Sequence, residues 1–199
     1  MKRNIHPWKT CAAAALLAAL AMPASASIFT YDANLSGPNE SPVNASPGTG
    51  FAQAVYDDTA HTLQLEFTFS GLQGTTTASH IHAATTTPGS GTAGVATTTP
   101  YFAGFPIGVT SGSYSNTLDL TQSTSWNPSY VTANGGTTAG AETAFAAALA
   151  NDEAYLNIHT SVFGGGEIRG FLVAVPEPAT AGLLAVGGVL WMIRRRRTA

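Results

Sequence analysis

The 199-residue chain carries eight Lys and Arg against eleven Asp and Glu, and its formal net charge of −3 hides a strong asymmetry. Seven of the basic residues lie near the two ends, so residues 27–175 hold Arg169 alone against ten acids, near −9. That balance argues against nucleic acid or an anionic lipid surface as a partner of the central stretch, since both require basic patches, and it permits binding of cations.

Taken in chain order, the first element is an export signal. Lys2, Arg3 and Lys9 form a positive start, residues 11–22 are apolar, and Ala24-Ser25-Ala26 is a small-residue cleavage site. Residues 1–26 therefore read as a signal helix, cut after Ala26. The only cysteine, Cys11, leaves with it, so no disulfide forms in the mature chain.

Residues 27–175 suit one domain with a real core. Phe29, Tyr31, Ala33 and Leu35 alternate with polar residues, and Leu63, Leu65, Phe67 and Phe69 do so most clearly. Period two predicts strands with one buried and one wet face. Gly-rich turns at 36–39, 71–74 and 164–166 separate such runs. Weaker strands are predicted at 50–57, 79–83, 114–120, 154–160 and 167–173. One short helix is predicted over 139–150, where Ala, Glu, Phe and Leu predominate. His61 follows Asp57-Asp58 and reads as a solvated turn residue. The Thr/Gly/Ser-rich stretch 85–99 reads as a long surface loop. Tyr101, Trp126 and Tyr130 fall in loop-like segments, where they would either pack or stack on sugars. The expected fold is all-β: an antiparallel β-sandwich or flattened barrel with one short helix.

The last element begins at Val175-Pro176-Glu177-Pro178. Two prolines stop any preceding element. Fifteen uncharged residues follow, then Arg194, Arg195, Arg196 and Arg197. As a helix the apolar run spans roughly 22 Å against a hydrocarbon core of about 30 Å, a mismatch that snorkelling arginines and local thinning accommodate. Residues 176–199 thus read as a transmembrane segment with a cationic cytoplasmic stop. Pro176, Glu177, Pro178, the short span and the arginine cluster together resemble the PEP-CTERM sorting signal of exopolysaccharide-producing Gram-negative bacteria. The resemblance implies an exosortase-type enzyme as partner, an inner-membrane anchored intermediate, and final placement at the cell surface or outside the cell.

Four blocks carry a second resemblance. They are Leu35-Ser36-Gly37-Pro38-Asn39-Glu40-Ser41-Pro42; the run from Leu63 into Phe69-Ser70-Gly71-Leu72; Ala78-Ser79-His80-Ile81-His82-Ala83; and Ala154-Tyr155-Leu156-Asn157-Ile158-His159-Thr160 followed by Gly165-Gly166-Glu167-Ile168-Arg169-Gly170. In this order they resemble the CHRD domain, named for its repeats in chordin. The resemblance implies an extracellular β-rich module and no established activity. The context after His-x-His departs from the usual small residue plus Gly, being Ala83-Ala84-Thr85 here.

Side chains alternate faces along a strand. If Ile81, Leu156, Ile158, Ile168 and Leu172 face the core, then His80, His82, His159, Glu167 and Arg169 lie on the opposite faces. Imidazoles at i and i+2 are roughly 6–7 Å apart, and a third from a neighbouring strand completes a set of the kind that holds Zn or Cu. The same histidines can instead hydrogen-bond neighbouring polar groups and fix the sheet edges. Glu167 and Arg169 are candidates for a structural ion pair, unless Arg169 pairs with another carboxylate.

No Gly-x-Ser-x-Gly, phosphate-binding loop or mature cysteine nucleophile is present, so no enzyme is expected. The primary expectation is an exported structural or binding module of the extracellular matrix or exopolysaccharide layer. The alternative is a Cu- or Zn-binding protein using His80, His82 and His159, and a metalloenzyme comes third.

Overall fold

A computed structural model describes residues 27–176. The signal segment and the sorting segment beyond Pro176 lie outside the described residues. Among the described residues, no helix is long and apolar enough to cross a membrane.

Eight strands form one antiparallel sheet: β1 (Ile28–Ser36), β2 (Thr49–Asp57), β3 (Thr62–Ser70), β4 (Thr76–His82), β5 (Gly112–Asp119), β6 (Tyr155–Thr160), β7 (Ile168–Phe171) and β8 (Val173–Ala174). The spatial order is β4-β6-β7-β1-β2-β3-β5, and β8 also pairs with β1. β1, β2, β3 and β5 pair over eight or nine residues at each seam. In contrast, β7 meets β1 at the single pair Ser36↔Arg169. Both wings turn their apolar sides into one core, from Leu65 and Phe67 on one side to Ile81, Leu156 and Ile168 on the other. The sheet is thereby curled into a half-barrel. Of the two expected forms, sandwich and flattened barrel, the fold is nearer the second: the narrow seam keeps both wings in one sheet while letting it bend round the core.

The period-two pattern is clear on β2 and β3, whereas β6 and β7 are buried on both faces. On β3, Leu63, Leu65, Phe67 and Phe69 are all buried. Phe29 departs from the pattern: it is 43 % exposed, because it lies at the open start of β1, where its ring stacks on Tyr56.

The helix α2 (Thr138–Ala150) closes one end of the core with Phe145, Ala148 and Leu149. Thr137 caps it by accepting from Gly140 N–H. A second, shorter helix, α1 (Pro128–Ala133), adds to the one expected. Its signal was present in the sequence: Asn127 caps it and Pro128 occupies the first turn.

Burial selects packing at Trp126 and Tyr130, and the readings of residues 85–99 and His61 change. Trp126 and Tyr130 are buried, and Trp126 donates its indole N–H to Leu120 C=O, so neither can stack on a sugar. Tyr101 is 40 % exposed. The stretch 85–99 is not simply a surface loop: Ala96 N–H donates to Ile81 C=O, and Thr97 Oγ1 accepts from Ile81 N–H. It covers the outer edge of β4, which would otherwise present unpaired backbone groups. His61 is not merely solvated either. Its Nδ1 lies 3.0 Å from the buried Glu142 carboxylate, which also accepts from Tyr56 O–H. The Glu142 contact holds the His61 pKa above its usual value.

Candidate metal centre

The site stands on the β4-β6-β7 wing. Register sets Ala78 opposite His159, His80 opposite Asn157 and His82 opposite Tyr155. Asn157 in turn faces Arg169 on β7. Residues directly opposite share a face, so His80, His82, His159, Asn157, Tyr155 and Arg169 share one. Ile81, Leu156, Ile158 and Ile168 point the other way and are fully buried. The structure thus brings together the three histidines singled out from alternation.

Their ring centroids lie 4.7 Å apart for His80–His82 and for His80–His159, and 6.2 Å apart for His82–His159. One ring nitrogen from each lies within 4.8 Å of the other two. Each Nδ1 points at a backbone carbonyl: His80 at Pro100, His82 at Ala93 and His159 at Gly164, at 2.8 to 3.1 Å. A carbonyl only accepts, so each Nδ1 carries the proton. A neutral ring then leaves Nε2 bare. Yet the Nε2 atoms of His80 and His159 lie 3.0 Å apart, and His82 Nε2 is buried with no partner.

The electrostatics agree with bare nitrogens. Burial, then the neighbouring imidazoles, push the His80 pKa down to about 3. Burial is also the main cause that lowers His82 to about 4 and His159 below its usual value. All three rings are neutral at pH 7. Three lone pairs therefore converge on one small volume, an arrangement that a cation can satisfy. Zn–N bonds of about 2.0–2.1 Å place tetrahedral ligand nitrogens roughly 3.3–3.6 Å apart, so a small side-chain rotation suits these rings to Zn or Cu. The carbonyls on the Nδ1 side are the outer partners that fix tautomer and ring direction at metal sites. Tyr155 lies flat on His82, with centroids 4.6 Å apart and planes 6° apart.

The expected Glu167–Arg169 ion pair is not formed. Glu167 turns away from the histidine face, and its fully buried carboxylate accepts from Ser46 Oγ, Thr160 Oγ1, Gln73 N–H and Gly74 N–H. These donors come from the end of β6, the β3–β4 turn and the loop ahead of β2, and they use up its acceptor capacity. The carboxylate nearest Arg169 is instead Glu40, with 3.9 Å between Nε and Oε2. Arg169 also donates from Nε to Asn39 C=O and from Nη1 to Gly91 C=O, and its guanidinium sits 4.7 Å from the Tyr155 ring. The Pro-containing 3-10 turn Gly37–Asn39, which follows β1, carries Glu40 to this position.

Glu40 was not singled out from sequence. It is 5 % exposed, and its Oε1 has no partner. Burial, only partly offset by Arg169, pushes its pKa up to about 7. The carboxyl therefore costs the folded state stability as pH rises above about 4.3, its unfolded value, with the full cost reached above about pH 7. Glu40→Gln should raise the melting temperature relative to wild type at pH 8, and the gain should vanish as pH falls below about 4.3. Thermal melts across that range test this, and a gain independent of pH would show that the carboxylate is not strained.

A family model describing the CHRD domain matches residues 31–172. Searches of curated proteins and of solved structures find no match. The matched span contains every strand from Tyr31 to Leu172, the three histidines, Glu40 and Arg169, and the chain belongs to the CHRD-domain family.

Proposed function

We propose that this domain is an exported β-rich module that binds one transition-metal ion, Cu or Zn, through Nε2 of His80, His82 and His159. The observation that carries this reading is the 3.0 Å approach of two bare ring nitrogens beside a third that is buried and unpartnered. Export rests on residues 1–26 and on the Pro-Glu-Pro segment with its arginine cluster. A role in the extracellular matrix or exopolysaccharide layer follows from the same two segments.

The chemistry of the donor set favours copper over zinc in affinity, since an imidazole site follows the usual order of divalent metals. Metal-free protein titrated with each ion should bind one equivalent per chain. The double variant His80→Ala, His82→Ala should lose more than the roughly 10–100-fold that loss of an outer partner costs. Calorimetry with both proteins checks it. Equal affinity in the two would remove the site and leave the histidines their hydrogen bonds to Pro100, Ala93 and Gly164.

A further inference from the structure

A cleft of about 430 Å³ opens beside Arg169, on the sheet side that also carries the histidines. It falls within the roughly 300–1,000 Å³ usual for small-ligand sites. Its walls mix amides and hydroxyls, from Asn34, Asn39 and Ser90, with the half-buried ring of Phe171. Arg169 and Glu40 line it as well, both at least nine-tenths buried.

The guanidinium there is incompletely used. Nε and Nη1 donate to Asn39 and Gly91, while Nη2 has no acceptor among the described residues. The nearest carboxylate oxygen stands 3.9 Å away, beyond hydrogen-bonding distance. Arg169 is the only Lys or Arg in residues 27–176. A planar guanidinium with free N–H donors matches a carboxylate. An aromatic ring supplies an apolar face, and the surrounding amides and hydroxyls match a polyol.

We infer that this cleft binds a carboxylate-bearing sugar, a uronic acid unit, with its carboxylate on Arg169 Nη2 and its ring against Phe171. Ten acids in the surrounding domain disfavour long-range approach of a dense polyanion. The ligand is thus an isolated or terminal uronate unit of a mixed polysaccharide. This inference uses neither the histidines nor a metal, so it stands or falls apart from the metal reading.

The test is calorimetric titration of the full-length protein, with chelator present, by glucuronate, glucose and acetate. Glucuronate should bind at least tenfold more tightly than either of the others, each of which offers only one of the two features recognised. Ser90→Trp places a large side chain from an exposed loop position into the cleft and should weaken glucuronate at least tenfold with an unchanged melting temperature. Glu40→Gln removes a like charge beside the ligand carboxylate and should tighten it. Equal binding of glucose and glucuronate, absence of glucuronate binding, or full affinity in a folded Ser90→Trp protein would each overturn the inference.

Discussion

Glu167→Ala should be among the most damaging single changes in the domain, with an expected loss of at least about 4 kcal/mol. The wild-type carboxylate is fully buried and accepts four hydrogen bonds, from 2.5 to 3.1 Å long. These tie β6 at Thr160 to the β3–β4 turn at Gln73 and Gly74 and to the loop at Ser46 ahead of β2. Alanine leaves those donors facing an apolar void, and each stranded buried donor costs about 1–3 kcal/mol. A domain of this size has only about 5–15 kcal/mol of net stability. Burial alone would raise the Glu167 pKa, but the four donors outweigh it and hold it below the usual value. Its stabilisation is therefore full above the unfolded pKa of about 4.3 and is lost as pH falls through the lower folded value. Glu167→Gln should fall between, since one oxygen still accepts while the amide nitrogen meets donors. Urea unfolding of the three proteins at pH 7 measures this. A loss under about 1 kcal/mol for the alanine variant would mean that water or rearranged turns satisfy those donors.

The histidine cluster was legible because its logic is local. Side-chain parity along β4 and β6 needs only the identity of each strand and the core side of Ile81 and Ile158, and antiparallel pairing then places His159 diagonally from His80. What parity could not supply was the outer partners. Pro100, Ala93 and Gly164 come from three loop positions, and their carbonyls have no sequence signature. The same limit explains the failed Glu167–Arg169 pairing. Two residues two apart look like natural partners, but Glu167 precedes β7 and turns to Thr160, whereas Arg169 lies within it and meets β1 at Ser36. That one bridge brings Glu40 to Arg169 across 128 intervening positions, a distance no local pattern encodes. The stretch 85–99 misled for a different reason. Its Thr, Gly and Ser content describes a solvated loop, yet Ala96 and Thr97 pair with Ile81 through backbone and hydroxyl groups that composition does not weigh.

Arg169→Ala should destabilise the domain by about 3–5 kcal/mol at pH 8, the range for breaking one side of a buried charged pair. The side chain holds three elements at once. It donates to Asn39 in the turn after β1 and to Gly91 in the β4–β5 connection, and it lies over Tyr155 at 4.7 Å and Phe171 at 5.6 Å. Removing it strands two carbonyls and takes away the charge that offsets burial of Glu40. Glu40 can respond by keeping a proton. Its folded pKa is already about 7 and would rise further without Arg169, so the variant should lose less at pH 6 than at pH 8. Arg169→Lys restores a cation but not a planar fork, and one ammonium cannot serve both carbonyls and the rings, so part of the loss should persist. The damage should also reach the metal centre. Gly91 lies two residues from Ala93, whose carbonyl orients His82, and Tyr155 stacks on the same ring. Metal affinity should therefore fall in Arg169→Ala under conditions where the variant is still folded. Urea melts at pH 6 and pH 8, followed by metal titration of the folded variant, separate the two effects. An unchanged urea midpoint at both values would show that Arg169 is not a strut between these loops, and unchanged metal affinity would uncouple it from the histidines.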